Sequence, residues 1–349
     1  MEEKVTVCVI TFNSVEYLPA LLDSIRNSSF REFRLLFIDN GSADGTVGYL
    51  EKDRSEKTIV SLPENTGHSH AANIALKKCG TRYLILLDHD TVVDRDLFRY
   101  LYLEAGRDEN AGFAVFAPRI MDRARDEVHY GGEFHYIGKT YTNRERPESA
   151  EVGMIGSTAP LLDLNRIPPD MAFDDDFFIY WNDADFFYRL RAAGKRIKLV
   201  PEALVYHLGG TKDYSHRHGV KYSPIRAFYV MRNHRLFVLK NYSLASILIF
   251  LPCFLLYETF NLMFCVRRRI FVKGYLRSIA GTARLFFSTM MKRSAFQRTR
   301  KIGEKDLVGW YRLDYNPGVV STDIENIVVR MFDRVLRIYY FLVKAVFWK

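Results

Sequence analysis

Residues 84–96 read LILLDHDTVVDRD, an apolar run that is followed by two acid pairs. A short apolar run of this kind, bounded by turn residues, is typical of a strand that is buried on both faces of a sheet. An acid-x-acid pair after such a strand either binds a metal ion and a phosphate or caps a turn. In its Asp-x-Asp form the spacing occurs at Asp88/Asp90, Asp94/Asp96, Asp174/Asp176 and Asp183/Asp185. The surrounding sequence therefore has to decide which pairs carry chemistry.

Around this stretch, strand-like and helix-like segments alternate. Short apolar runs predict strands at residues 5–12, 33–39, 58–62 and 83–88, and helical patterns lie near residues 16–27, 44–54, 68–79 and 93–106. Residues 113–118 would extend the sheet, and residues 127–165 are interpreted as shorter strands and loops. Strands that alternate with helices predict an α/β fold with a mostly parallel, Rossmann-like central sheet and flanking helices.

Polar residues stand where each of the first four predicted strands ends. These residues are Thr11, Asn13, Asp39, Asn65, Asp88 and Asp90. A single polar strand end is usually a turn or a helix cap. Ligands of open parallel sheets bind outside the carboxyl ends of the strands, so four polar ends on one edge favour a binding site there.

Charge divides the chain into two parts. Residues 1–206 carry 25 Lys and Arg against 33 Asp and Glu, whereas residues 207–349 carry 25 against 8. A basic half indicates an anionic partner, either nucleic acid or a membrane surface. Four cysteines without a framework pattern predict unpaired thiols in a reducing compartment, and the acidic N-terminal residues do not resemble a signal peptide.

The basic part also contains a long apolar segment, residues 243–266, which is interrupted by Pro252, Glu258 and Asn261. Arginines follow it at once, and the last twenty residues are aromatic, basic and amphipathic. We expect a helical, membrane-associated region over residues 241–349 that lies in or re-enters the cytoplasmic leaflet. A buried core helix with a packing tail is the alternative. The apolar segment favours lipid over nucleic acid.

Five quoted segments carry a family resemblance. The segments VITFN, IDNGSADGT, ENTGHSHAANIAL and LLDHDT resemble the nucleotide-sugar domain of family 2 glycosyltransferases, which have the GT-A fold. The segment FFIYWNDADFFYRLRAAGKRIKLVPEALVYH resembles the acceptor side of that family. The resemblance covers residues 5–240 and implies a catalytic domain over residues 1–240. Residues 1–110 would bind the nucleotide sugar and residues 111–240 the acceptor. The NxGxxxAxN and LDxDT forms are most similar to the rhamnosyltransferase-type branch.

The resemblance implies a metal and donor site. Asp90 would bind Mg²⁺ or Mn²⁺, with Asp88 as its partner on the donor. Asp39 would contact the base or the ribose, Thr11 and Asn13 would line the same pocket, and Asn65 and Gly67 would form its opposite wall. His89 is interpreted as structural. Asp94 and Asp96 are interpreted as caps at a helix start, where acids favour the helix dipole.

The resemblance also implies a base for an inverting reaction. Asp183 matches the family's base, and Asp185 and Trp181 would contact substrate. Asn182 stands where the family more often has Glu, and N-capping of the following helix is the alternative role for both acids. His207 would contact the metal or the diphosphate. Lys212, Arg217 and Lys221 would approach the diphosphate or a lipid phosphate, and Asp174 to Asp176 are interpreted as solvated loop acids.

These inferences predict a metal-dependent, inverting glycosyltransferase at the cytoplasmic face of the cell membrane, bound in a peripheral, monotopic or re-entrant manner. It would use dTDP-rhamnose or a UDP-sugar and act on a polysaccharide or a polyprenyl-linked glycan. A nucleotidyltransferase is one alternative, but TFNSVEYL stands where that class has a Gly-rich basic loop. A membrane scaffold that retains a transferase fold without activity is another.

Overall fold

The computed structural model describes residues 4–123, 126–156, 158–210, 223–269, 271–313 and 322–347. Its strands are β1 (Val5–Thr11), β2 (Phe33–Asp39), β3 (Thr58–Ser61), β4 (Tyr83–Asp88), β5 (Thr91–Val93), β6 (Phe113–Asp122), β7 (Glu127–His129), β8 (Gly132–His135), β9 (Thr140–Thr142), β10 (Glu151–Val152), β11 (Leu161–Asp163), β12 (Arg196–His207) and β13 (Val308–Gly309). Its helices are α1 (Leu18–Arg26), α2 (Thr46–Lys52), α3 (His68–Lys78), α4 (Leu97–Gly106), α5 (Asn182–Ala192), α6 (Pro224–Asn241), α7 (Leu244–Arg267), α8 (Val272–Arg284), α9 (Phe286–Thr299) and α10 (Asp323–Phe347).

The chain divides into two compact units. Unit 1 comprises residues 1–132 and 142–220, and unit 2 comprises residues 133–141 and 221–349. Helix α6 packs on α8 and α9 and belongs to unit 2. The catalytic domain that the resemblance implies over residues 1–240 stays a prediction.

Unit 1 is built on one mixed sheet with the strand order β10-β12-β6-β11-β4-β1-β2-β3, to which β5 and β7 add at β12 and β6. Strands β4, β1, β2 and β3 are parallel to one another, and the apolar side chains of β1, β2 and β4 are largely buried. In this register Thr11 lies beside Asp39, and Ile10 lies beside Asp88. The predicted α/β class and the common edge of the strand ends are thus confirmed.

The segment after Asp90 differs from the prediction. We expected a helix from residue 93, but Thr91–Val93 forms β5 and α4 begins at Leu97. Thr and Val branch at Cβ and therefore favour strands over helices. Strand β5 pairs antiparallel with the end of β12, so that Thr91 lies opposite His207.

Unit 2 combines helices α6 to α10 with a small sheet of order β13-β8-β9. Helix α7 continues through Pro252 without a break. Among the described residues, α7 is the helix that is long and apolar enough to cross a membrane, on length and composition alone.

Candidate functional site

The ends of β1 and β2 are joined by a hydrogen-bond network around Asp39. Asp39 is 1% exposed, and its carboxylate accepts hydrogen bonds from Thr11 Oγ1 at 3.0 Å and from the Ser42 N–H at 3.0 Å. Asn13 has a positive φ of 48°, and its side chain accepts the Ala43 N–H at 2.9 Å. These contacts hold the loops after both strands in a fixed shape. Thr11, Asn13 and Asp39 therefore lie together, and their predicted contacts with the donor stay a prediction.

Asn65 and Gly67 form the turn that leads into α3. The Asn65 side-chain oxygen accepts the Gly67 N–H at 3.0 Å and the Asn40 amide at 3.1 Å. Gly67 has a φ of 90°, and a Cβ at this position would lie 2.6 Å from the Phe178 ring. The turn thus requires glycine for two reasons, a left-handed backbone and a close neighbour.

Asp90 lies in the only three-residue group of potential metal ligands found among the described residues. Ligand atoms of Asp88, Asp90 and His207 all lie within 4.8 Å of one another. Asp90 is 2% exposed, and its Oδ2 accepts the Gly209 N–H at 3.1 Å and lies 3.3 Å from His207 Nε2. Two carboxylates and one imidazole suit a divalent cation. The β5–β12 pairing brings His207 to Asp90, because it places the strand end beside Thr91.

Asp88 has two further partners that the sequence did not indicate. Thr158 Oγ1 donates a hydrogen bond to its Oδ2 at 3.0 Å, and His68 Nε2 lies 3.4 Å from its Oδ1. The Asn182 side-chain amide lies 3.0 Å from His68 Nδ1. If the amide donates, Nδ1 is the acceptor and Nε2 carries the proton toward Asp88.

The pKa of Asp88 follows from these neighbours. Burial disfavours its ionised form, but the hydrogen bond from His68 and the positive potential of the nearby histidines outweigh burial and lower its pKa. Asp88 is therefore an anion at neutral pH. The position of His68, directly after the N-x-G turn, was a signal that could have drawn attention to it. Thr158 gave no such signal.

Asp183 lies in the first turn of α5 and has the opposite shift. Burial raises the pKa of Asp183, and the charge of Asp88 adds to this effect, whereas the Ala184 N–H and His68 oppose it. Its Oδ1 accepts the Ala184 N–H at 2.7 Å. A carboxylate with a raised pKa is a stronger base than one in water, as a group that accepts a proton from a hydroxyl needs to be.

The segment that leads into α5 has an unusual backbone. Phe178, Tyr180 and Trp181 have φ values of 61°, 61° and 65°, in the left-handed region that large side chains rarely adopt. Trp181 directly precedes α5, and the Phe178 carbonyl accepts the Ser69 N–H at 3.3 Å. Backbone strain of this kind clusters at functional sites. We name residues 178–181 the strained turn.

Asp185 has a different environment from Asp183. It is fully buried, and the Arg189 guanidinium one helical turn later binds its Oδ2 at 2.8 Å. This pairing favours a supporting role within α5. Its predicted contact with substrate, like that of Trp181, stays a prediction.

The remaining predicted features are structural. His89 contacts the Ile10 carbonyl and the Tyr17 ring. The Asp94 carboxylate accepts the Asp96 N–H at 3.0 Å, and Asp174 accepts the Asp176 N–H at 3.1 Å. Asp96 precedes α4 but makes no side-chain cap bond. Lys212, Arg217 and Lys221 lie outside the described residues.

Comparison with known proteins identifies the domain. The family model for glycosyl transferase family 2 matches residues 6–161, which include Thr11, Asp39, Asp88 and Asp90. The chain carries a family 2 glycosyltransferase domain. The predicted family is thereby confirmed.

Two curated relatives match parts of this chain. One is the teichoic acid poly(glycerol phosphate) polymerase of Staphylococcus epidermidis, 30% identical over 137 residues, which are 36% of this chain and 19% of the polymerase. The other is the poly-beta-1,6-N-acetyl-D-glucosamine synthase of Staphylococcus aureus, 24% identical over 214 residues, which are 59% of this chain and 50% of the synthase. The chain thus spans half or less of these relatives.

Two solved structures share the fold. The mannosyltransferase PcManGT of Pyrobaculum calidifontis, in complex with GDP-Man and Mn²⁺, matches with a TM-score of 0.52 and 14% identity, over 99% of this chain and 88% of its own. TarS 1-349 of S. aureus, in complex with UDP-GlcNAc, matches with a TM-score of 0.53 and 18% identity, over 96% and 91%. The likeness confirms the GT-A fold of the family 2 domain.

Proposed function

We propose that this chain is an inverting glycosyltransferase that moves a sugar from a nucleotide-diphosphate sugar to a glycan hydroxyl with a divalent cation. One observation carries the proposal: the Asp88, Asp90 and His207 cluster lies near the base candidate Asp183, because His68 lies 3.4 Å from Asp88 and 3.0 Å from the side-chain amide of Asn182, which directly precedes Asp183. The family and the nucleotide sugars bound by PcManGT and TarS support it.

Asp90 and His207 would hold the cation, with Asp88 next to it. A bound cation neutralises the charge that grows on the diphosphate as the sugar leaves. An imidazole in the donor set favours Mn²⁺ over Mg²⁺, which prefers oxygen ligands. The ionised Asp88 supplies fixed negative charge for this purpose.

Asp183 would accept the proton of the acceptor hydroxyl while that oxygen forms its bond to the anomeric carbon. The bond from the anomeric carbon to the phosphate oxygen breaks at the same time, and the nucleoside diphosphate leaves with the electron pair. The proton remains on Asp183, which then returns it to solvent. General-base assistance of this type contributes about 10²–10⁴-fold to a rate.

The donor would lie against the loops around Asp39. Its carboxylate oxygens retain lone pairs beyond the bonds from Thr11 and Ser42, so they can accept a base N–H or a ribose hydroxyl. Asn13 and the turn at Asn65 and Gly67 would form the walls. For the sugar we propose rhamnose from dTDP-rhamnose, on the resemblance to the rhamnosyltransferase-type branch. A UDP-sugar is the competing donor, because TarS binds UDP-GlcNAc.

For the acceptor we propose a polyprenyl-linked or polysaccharide glycan at the cytoplasmic face of the membrane. The basic charge of residues 207–349 and the apolar helix α7 support this location.

The test is a donor screen with the purified full chain. dTDP-rhamnose, UDP-GlcNAc and GDP-Man are supplied with Mn²⁺ or Mg²⁺ and a polyprenyl-diphosphate-linked glycan, and both nucleotide release and product are measured. We expect one donor to be turned over with the cation and none after chelation. Binding and turnover of no donor would overturn the proposal.

Three variants make the screen specific. Asp183→Asn should lose at least about 10²-fold in turnover and still bind donor, whereas Asp90→Ala should lose cation-dependent donor binding. Asp96→Asn is the matched control, because it changes an acid of the same spacing at the start of α4, and it should leave both unchanged. Full turnover by Asp183→Asn would refute its role as base. A cellular effect that survives Asp183→Asn would favour the scaffold.

A further inference from the structure

Helix α7 exposes an apolar stripe on its N-terminal half and again at its C-terminal end. Exposed residues recur every three or four positions up to Leu255 and again at the C-terminal end, which places them on one side of a helix. They are Leu244, Leu248, Leu251, Leu255, Leu262 and Val266, and each exposes 41–65% of its surface. We name this set the α7 stripe.

Helix α10 exposes a second stripe of the same kind. Its members are Ile324, Ile327, Met331, Val335, Ile338 and Leu342, and each exposes 49–68% of its surface. We name this set the α10 stripe. Exposed apolar patches of this length on a folded domain mark a binding surface.

Other faces of α7 and α10 pack against each other. Phe332 of α10 stacks on Phe260 of α7 with ring centroids 5.4 Å apart. Tyr339 donates a hydrogen bond to the Ile249 carbonyl at one end of the pair, and Glu325 lies 3.4 Å from Arg267 at the other. The two helices therefore run antiparallel and side by side. Each stripe is part of the apolar surface that remains exposed after this packing.

The acid in the middle of α7 interrupts the α7 stripe, because Glu258 stands three residues after Leu255 and four before Leu262. Glu258 pairs with Arg235 of α6 at 2.6 Å, and the Tyr275 hydroxyl of α8 lies 3.4 Å from the same oxygen. The charge that interrupts the apolar segment in the sequence is thus neutralised inside unit 2. The α7 stripe itself carries no charged residue.

Arginines accompany the α10 stripe on one side. Arg330, Arg334 and Arg337 are exposed, and each directly precedes a stripe residue. A helix with an apolar stripe and a basic edge is the type that lies in a membrane interface, with its cations at anionic headgroups.

The pairing of the helices also argues against a span. Because α10 packs along α7, a bilayer-spanning α7 would carry the arginines in the middle of α10 into the hydrocarbon, which is costly. Both helices can instead lie in the interface with each stripe in the acyl region and the arginines at headgroup level.

We propose that α7 and α10 bind together at the boundary between the headgroups and the acyl chains of one leaflet of an anionic membrane, with the two stripes as the surface that contacts the acyl chains. This binding mode rests on the membrane location given under the proposed function and specifies which residues contact the lipid. It does not depend on the transfer reaction. It assigns the anionic lipid surface as partner through Arg330, Arg334 and Arg337.

The test measures binding of the purified full chain to phosphatidylcholine vesicles with and without phosphatidylglycerol, by co-sedimentation without donor or acceptor. We expect binding that increases with phosphatidylglycerol. Leu248→Glu and Val335→Glu should each weaken it about tenfold or more. Arg334→Gln should weaken it about fivefold, on the anionic vesicles alone. Leu103→Glu is the matched control, because it makes the same substitution as Leu248→Glu at a leucine of α4 in unit 1 that exposes 47% of its surface, and it should bind like the wild type.

Each contrary outcome is distinct. Absence of vesicle binding, or stripe variants that bind like the wild type, would overturn the proposal. Resistance to alkaline carbonate together with protease access from both sides would show a spanning helix instead. A stripe-dependent dimer without vesicle binding would identify a second copy as the partner. Nucleotide release in detergent, measured in parallel, separates failure of membrane binding from failure of the transferase proposal.

Discussion

Replacement of Gly67 by alanine tests whether the turn before α3 holds the strained turn in place. The backbone at Gly67 has φ 90° and ψ 158°, a region open essentially to glycine alone. A Cβ there would lie 2.6 Å from the Phe178 ring and 2.8 Å from the Phe178 carbonyl oxygen. Phe178 begins the segment that leads to Asp183, so the substitution should act on stability and on the site together.

The magnitude follows from two contributions. A residue forced into this backbone region costs about 1–3 kcal/mol, and overpacking of a filled site costs about 1–3 kcal/mol more. The sum of about 2–6 kcal/mol corresponds to a melting temperature lower by at least about 4 °C for a unit of this size. Displacement of the catalytic geometry by about 1 Å can further reduce turnover about 10²-fold.

The assay is thermal unfolding together with donor turnover, and Gly48→Ala provides the control. Gly48 lies inside α2 with no atom near its Cβ position, so alanine there should stabilise by about 0.5–1 kcal/mol. A double mutant with Phe178→Ala should recover the part of the packing contribution that comes from the ring, and leave the clash with the carbonyl oxygen and the backbone contribution. The reasoning fails if Gly67→Ala melts within about 1 °C of the wild type and retains full turnover.

Three further predictions concern charges of unit 1. His68→Ala removes the neighbour that orients Asp88, and cation affinity measured by calorimetry should fall about 10–100-fold with little change in melting temperature; unchanged affinity would remove His68 from the site. Folding raises the pKa of Asp183, so the folded state binds the proton of Asp183 more tightly than the unfolded state does. The resulting contribution to the free energy of unfolding is complete at low pH and is lost as pH rises through the folded-state pKa. Asp183→Asn should therefore unfold at higher denaturant than the wild type at neutral pH, with a difference that shrinks on acidification; a constant difference would contradict this. Asp163 is fully buried and binds Arg82 at 2.7 Å, so Asp163→Ala should lose about 3 kcal/mol in the free energy of unfolding, and a loss below about 1 kcal/mol would refute the pairing.

The sequence predicted the parallel half of the sheet because each of its strands is a short apolar run with a polar end. Burial on both faces leaves this local pattern, and the register then brings Thr11, Asp39 and Asp88 to one edge. Asp185 shows that more could have been inferred. Arg189 follows it at i+4, a spacing that favours an ion pair on one helix, and the structure contains that pair.

Other contacts depend on residues far apart in the chain and leave no local pattern. His207 reaches Asp90 because β5 pairs with the end of β12, although β5 is only three residues long. Thr158 contacts Asp88 from within residues 127–165, for which the sequence predicted only shorter strands and loops without bounds. Pairing of this kind depends on the assembled sheet, and for this reason propensity and periodicity did not predict it.

The strained turn gives an argument for a functional site that does not depend on family membership. Phe178, Tyr180 and Trp181 are aromatic residues at positive φ, where local preference selects glycine or asparagine, so packing around them must outweigh a cost of about 1–3 kcal/mol each. The strained turn ends where α5 begins, and Asp183 lies in the first helical turn of α5. Burial destabilises the ionised form of the Asp183 carboxylate and so raises its pKa. Two independent unfavourable features thus fall within six residues of one another. A fold selected for stability alone would tend to replace both, whereas a site that needs a fixed, strongly basic carboxylate would retain them.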